Sequence, residues 1–178
     1  MAIKHRLWAA VLLVAWMQSP AAGSDSASAF VHAGDEFRVA PALLYAIALV
    51  ESGRQTAEGL RPWPWTLNVA GTGHYYPSRQ AAWLALRSFL KSGEDNVDIG
   101  PMQVSWLWHR DRLGSAWLAL DPTHNVRVGA WVLANAVRAE NDIWSGVGRY
   151  HSGKADRQRR YRERVAETLR RLVRDARS

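Results

Sequence analysis

The chain contains no cysteine, which excludes disulfide stapling and lipid attachment through a thiol. Its fold must therefore be held by packing alone. Internal repeats, low-complexity runs and an interdomain linker are also missing. Beyond the N-terminal segment no stretch stays apolar for long enough to span a bilayer. The six histidines show no ligand spacing, so neither a metal nor a cofactor is expected. There is no recognisable nucleic-acid-binding motif, which makes nucleic acid a poor partner.

What is present begins with Lys4, His5 and Arg6, followed by the uncharged apolar run Leu7 to Met17 and then by small residues. This is the pattern of a secretory signal peptide over residues 1–22, with an apolar run too short to span a membrane comfortably. Cleavage after Ala21 and cleavage after Ala29 both fit, so the boundary stays open over 21–29. A protein exported to the periplasm, away from the membrane once the signal is removed, is the expectation, with an uncleaved membrane anchor as the alternative. The remaining chain, about 150 residues, suffices for one domain burying roughly 70% of its unfolded surface.

The net charge of +7 is unevenly placed. From Lys154 to Arg177 ten Lys or Arg stand against Asp156, Glu163, Glu167 and Asp175. In the same segment Tyr161, Val165, Leu169, Leu172 and Val173 recur at helical spacing, so 154–178 reads as a basic C-terminal helix. Such a helix can dock on an anionic surface, or it can close the domain with its basic face in water. The second reading is favoured.

Most of the chain reads as helices of ordinary length, which places it in the mainly α class, with an α+β element. Pro41 suits the first turn of a helix that stops at Gly53. Ser78 can cap a helix to Ser92 with Ala82, Trp83, Leu86, Phe89 and Leu90 as its buried stripe and Gly93 as its stop. A third helix is expected from near Met102 to Gly114. Asp121-Pro122 opens another that carries Asn125 through Ala139, and a short one follows near Ile143 to Tyr150. One segment breaks this pattern. Arg61-Pro-Trp-Pro-Trp65 cannot be helical, and Trp65, Leu67 and Val69 alternate with polar residues. Gly71-Thr72-Gly73 offers a turn, and His74 to Tyr76 can return as a strand, giving a small β-hairpin inserted in a single helical domain.

Glu51 is the out-of-place residue. It lies four residues beyond Ile47 and seven beyond Leu44, so it shares the apolar stripe of its helix. The negative end of the helix dipole and desolvation both disfavour an ionised carboxylate there. A general acid working near neutral pH needs such a setting. A Glu that reaches to the rim of the core or pairs with Arg54 is the bland alternative.

Four segments recur in order: Glu51-Ser52-Gly53, Asp98-Ile-Gly100-Pro-Met102-Gln103-Val104, Asn125-Val-Arg-Val-Gly129, and Gly148-Arg-Tyr150-His151-Ser-Gly153. In order and spacing they resemble the four motifs of the soluble lytic transglycosylase family. The similarity covers Phe30 to about Tyr161 and is nearest to members that serve conjugation, type IV secretion and integrating conjugative elements. The resemblance implies a lysozyme-like fold and cleavage of peptidoglycan glycan strands, with components of such a machine as further partners. It implies Glu51 as the catalytic acid, Ser52 beside it holding the sugar or orienting the acid, and Met102 and Gln103 lining the floor of the cleft. Asn125 and Tyr150 would face the glutamate and the acetamido group.

Each assignment has a physical rationale beside it. Gly100 lets the backbone approach closely, and Gln103 can both donate and accept; the bland alternatives are Gln103 as a cap of the Gly100 loop, Asn125 as a contact at its helix start and Tyr150 as core. Asn125 and Gly129 share a helix face, which leaves room beside the amide. Among eight tryptophans beyond the signal segment, most belong to apolar helical stripes. Trp65, Tyr75 and Tyr76 in the hairpin are the better candidates for stacking on a sugar.

The chain departs from the family pattern in four places. Pro101 stands for a leucine, Thr123 for a frequent cysteine and His151 for a frequent asparagine, and the stretch from Glu51 to Gly100 is longer. None removes the proposed acid. A two-carboxylate glycosidase needs a second acid, and Asp98 is the nearest, although it can equally cap its loop. The resemblance instead implies a substrate-assisted reaction that closes a 1,6-anhydro ring on N-acetylmuramic acid. A muramidase of the same fold, and a non-enzymatic wall-binding assembly factor, remain the competing readings.

Overall fold

The computed structural model describes residues 22–177, with side chains from residue 27 onward. The signal-peptide reading and the cleavage point after Ala21 therefore fall almost wholly outside the described residues. The alternative cleavage point at Ala29 falls inside the first helix, where Ala29 and Phe30 are buried.

Eight helices and six short strands are present among the described residues, a mainly α protein with an α+β element. In order they are α1 (Ala22–Phe37), α2 (Pro41–Ser52), β1 (Gly53–Thr56), β2 (Gly59–Pro62), β3 (Thr66–Val69), β4 (Thr72–Tyr75) and α3 (Arg79–Lys91). Then follow β5 (Val97–Ile99), β6 (Val104–Ser105), α4 (Trp106–Leu113), α5 (Ala116–Ala119), α6 (Pro122–Glu140), α7 (Ile143–His151) and α8 (Ala155–Asp175). The chain divides into two compact units, one of them Glu51–Gly129 and the other the described parts of Met1–Val50 and Ala130–Ser178. Among the described residues no helix is long and apolar enough to cross a membrane.

The discontinuous unit is helical. Leu44, Ala46, Ile47 and Ala48 are fully buried on α2, which is apolar nearly all round, as a central helix should be. Phe30 of α1 meets Tyr45 edge to face at 5.2 Å. Arg38, at a positive φ, ends α1, and the Val39 N–H donates back to the Gly34 carbonyl. Later in the chain Gly146 lies so close to Val137 that a Cβ would sit 2.6 Å from its Cα. α7 packs on α8 through His151, whose ring stacks on Tyr161 at 4.3 Å. On α8 the buried positions are Tyr161, Val165 and Thr168, while Arg157, Arg160, Arg164, Arg170, Arg171 and Arg174 are exposed. The basic tail thus closes its unit with the arginine face outward, as its periodicity predicts.

The continuous unit carries all the strands. The hairpin expected near Trp65 is β3–β4, with Thr66 opposite Tyr75 and Val69 opposite Thr72. Its turn is Ala70-Gly71, one residue earlier than the glycine pattern suggests. Both residues take positive φ (48° and 91°), the geometry that matches strand twist in a two-residue hairpin. The hairpin belongs to a four-stranded sheet of order β4-β3-β5-β6. α3 starts at its Ser78 cap, whose side chain accepts from the Ala81 N–H, and Gly93 at φ 84° follows its end.

Two expectations need correction. The helix placed from Met102 starts only at Trp106, because Gly100 (φ 76°) and Gln103 (φ 45°) are both left-handed and break a right-handed helix. Residues 97–105 instead form a tight β5–β6 hairpin. The stop at Gly53 is also the start of a second hairpin, β1–β2, which the sequence reading did not anticipate.

Candidate active site

Glu51 occupies the penultimate position of α2 and is half-buried. It is less enclosed than Leu44 and Ile47 behind it on the same stripe, so it stands at the rim of the core. The Arg54 guanidinium, the bland alternative's partner for Glu51, lies over aromatic rings, 4.7 Å from the centre of Trp63 and 5.6 Å from Tyr75.

The next residue fixes the end of the helix. Ser52 is 0% exposed, and its hydroxyl donates to the Pro101 carbonyl at 2.9 Å. Its own carbonyl accepts from the Trp63 N–H at 3.0 Å. The residue after the proposed acid is thereby tied to the 98–103 loop on one side and to the aromatic segment on the other. A buried hydroxyl in such a setting positions its neighbours; it does not meet a sugar.

Asn125 holds the same loop from another direction. It is 0% exposed, near the start of α6, where Asp121 accepts from the His124 N–H and Pro122 opens the helix. Its Oδ1 accepts from the Met102 N–H at 3.1 Å. Its Nδ2 donates to the Ile99 carbonyl at 2.9 Å and to the Ala119 carbonyl at 3.2 Å. Acceptor and both donors are thus used on main-chain groups, and the expected role of facing the glutamate or an acetamido group is corrected to that of a clamp. The room beside its amide is supplied by Gly100, where a Cβ would fall 2.6 Å from the Asn125 side chain. Gly129, the expected neighbour, makes room instead for Met102, whose Cβ would lie 2.6 Å from an added Cβ. Met102 is itself 0% exposed, so it fills the interior and lines no surface.

Gln103 is the loop residue that remains half-exposed. Its Nε2 donates to the Gly100 carbonyl at 2.9 Å and reaches the Thr66 carbonyl at 3.4 Å. Both contacts use the nitrogen, and Oε1 has no partner among the described residues. Asp98 sits in β5 opposite Asn68 on one side and Ser105 on the other, half-buried within the sheet. This is the position of a strand residue.

The aromatic candidates separate by exposure. Tyr75 is 47% exposed, whereas Trp65 is half-buried, packs edge to face on Trp63 at 6.0 Å, and has its Nε1 enclosed without a partner among the described residues. Burial pushes the Tyr76 hydroxyl above the ordinary phenol range. Its carbonyl accepts from the Trp63 indole at 2.8 Å. Trp63 and Arg54 complete this aromatic group, although neither stands among the sugar-contact candidates that the sequence offers. The signal for Trp63 was its place between two prolines, which forces extended backbone beside the helix end.

The fourth motif lies in the other unit. Tyr150 is half-buried near the end of α7. Around it, Gly148 admits the Gln158 side chain at 3.0 Å from an added Cβ, and His151 stacks on Tyr161. Those two neighbours therefore serve the α7–α8 packing. Among the described residues no group of three or more His, Asp or Glu is arranged to hold a metal ion. Compared with known protein families, with curated proteins and with solved structures, the chain gives no match.

Proposed function

We propose that this protein is a peptidoglycan lytic transglycosylase with Glu51 as its acid and base. The observation that carries the reading is the meeting of three motif segments at one loop. Ser52 and Asn125 grip the 98–103 main chain from two sides, and Ser52 is the chain neighbour of half-buried Glu51 at the helix end. Gln103 is presented by that loop with an unused acceptor, suited to a sugar hydroxyl or an amide N–H.

In the proposed reaction Glu51 protonates the oxygen linking N-acetylmuramic acid to N-acetylglucosamine as the bond to the anomeric carbon breaks. The substrate's acetamido group stabilises the developing cation, so a second protein carboxylate is not required. Ionised Glu51 then takes the proton of the muramoyl 6-hydroxyl while that oxygen bonds to the anomeric carbon, and the acid is restored without water. Export to the periplasm and service to a conjugation or secretion machine belong to the same proposal.

The test is a digest of isolated wall sacculi with wild type and Glu51→Gln, read by product masses. Wild type should release anhydromuramoyl products, and Glu51→Gln should slow release by about 100-fold or more. Reducing muramoyl ends would make the protein a hydrolase. Equal release by both proteins would remove Glu51 as the catalyst, and none from either would leave a wall-binding factor.

A further inference from the structure

Arg54 is an exposed cation of the β1–β2 hairpin. It stands in β1 directly opposite Arg61 of β2. Like charges facing each other across a strand pair destabilise the pair. Arg61 leans toward the turn, where its guanidinium donates to the Glu58 carbonyl at 3.4 Å. The Glu58 carboxylate is held below its ordinary range by the Thr56 hydroxyl first and by Arg61 further down. Arg54 has no acidic partner among the described residues, and it is exposed. Its guanidinium rests instead on Trp63 and Tyr75, at 4.7 and 5.6 Å from the ring centres.

The rings restrain a side chain that would otherwise lose rotamer freedom on binding, and they occupy its faces without using its N–H edge. A planar fork of donors fixed in this way matches a carboxylate in two-point geometry. Only two residues separate Arg54 from Glu51, so their Cα atoms are at most about 11 Å apart.

We infer that Arg54, braced by Trp63 and Tyr75, is a carboxylate subsite that reads the peptide stem of the muramoyl unit held at Glu51. The identity of the occupant rests on the transglycosylase reading; the subsite itself rests on the geometry of the hairpin. In intact wall the lactyl group is joined to the stem by an amide and carries no charge. The carboxylates available to a guanidinium are then those of the stem, whereas stripped glycan offers only the lactyl carboxylate.

The experiment compares soluble stem-bearing muropeptides with the same fragments stripped of peptide. Binding is measured on Glu51→Gln with and without Arg54→Ala, and cleavage on wild type and Arg54→Ala. The stem-bearing to stripped ratio of affinities, and of kcat/KM, should fall about tenfold in Arg54→Ala, and added salt should reduce it in the parent. Arg54→Lys, which keeps the charge but loses the fork, should fall between. An unchanged ratio with anhydromuramoyl products still formed overturns the subsite and leaves the reaction standing. Arg54-dependent binding of stems without such products keeps the subsite and overturns the reaction. Dependence seen only with the lactyl carboxylate, or no binding of either fragment, overturns the stem assignment.

Discussion

The two compact units are held by different kinds of interaction. In Met1–Val50 with Ala130–Ser178, the described helices close on each other through apolar stripes, a glycine against Val137 and a stacked His151–Tyr161 pair. In Glu51–Gly129, irregular backbone is fixed by buried polar side chains that bond to main-chain groups, above all Ser52 and Asn125. Regular helices satisfy their own backbone groups, so apolar contact is enough to assemble them. A loop with two left-handed residues cannot do so, and side chains must complete it. The second arrangement costs more to damage, and it lies beside the proposed acid.

Removing the clamp should have the largest effect. Asn125→Ala leaves the Met102 N–H and the Ile99 and Ala119 carbonyls buried without their partner, and should cost about 3 kcal/mol or more. Urea unfolding measures the loss, and hydrogen exchange should find it in residues 97–105 before the C-terminal helices. Uniform loss of protection would break the distinction between the units. The matching change in the helical unit is Gly146→Ala, which drives a Cβ into the Val137 main chain and should cost about 1–3 kcal/mol. Its exchange effect should fall on α6 and α7 and spare the 97–105 hairpin.

Ser52→Ala should be milder, about 1–2 kcal/mol for one buried acceptor left unpaired. Wall-digest rates should nevertheless fall by more than stability at the assay temperature explains, since the loop that presents Gln103 loses its tie to the helix of Glu51. Rates that track the folded fraction would reduce Ser52 to a packing residue.

The smallest effect concerns pH. Burial first, and Arg112 second, hold the His109 imidazole below its ordinary range. As pH falls below about 6.5 the unfolded chain binds a proton that the folded state refuses until lower pH, so stability is lost through that window. Above it both states are neutral at this site and the contribution vanishes. His109→Gln should flatten this acid limb, read as a smaller difference between urea midpoints on either side of the window.

Punctuation made the helices legible. Ser78, Gly93, Asp121-Pro122 and Gly53 each act locally, and the helices they mark begin or end where the residues require. The β1–β2 hairpin was not legible because its residues are half-buried or exposed, so no apolar alternation marks it. The β5–β6 hairpin was hidden by Gln103, since a left-handed glutamine is imposed by its surroundings and by its own bond to Gly100. Of the site candidates, Ser52, Met102 and Asn125 are buried, which suits positioning and packing better than contact with a ligand. Shared helix faces relate Asn125 to Gly129, whereas its actual neighbour, Gly100, comes from a different loop and depends on tertiary packing.

The Gly100–Asn125 contact also constrains the order in which the two positions can change. Any side chain at 100 collides with the amide while Asn125 is present, so position 125 must shrink first. Shrinking it opens space at 100 but leaves φ at 76°, which an L-residue tolerates only at about 1–2 kcal/mol. The asparagine is thus the gate and the glycine the residue locked behind it. A descendant lineage could lose the first alone, but it should not be found to lose the second alone.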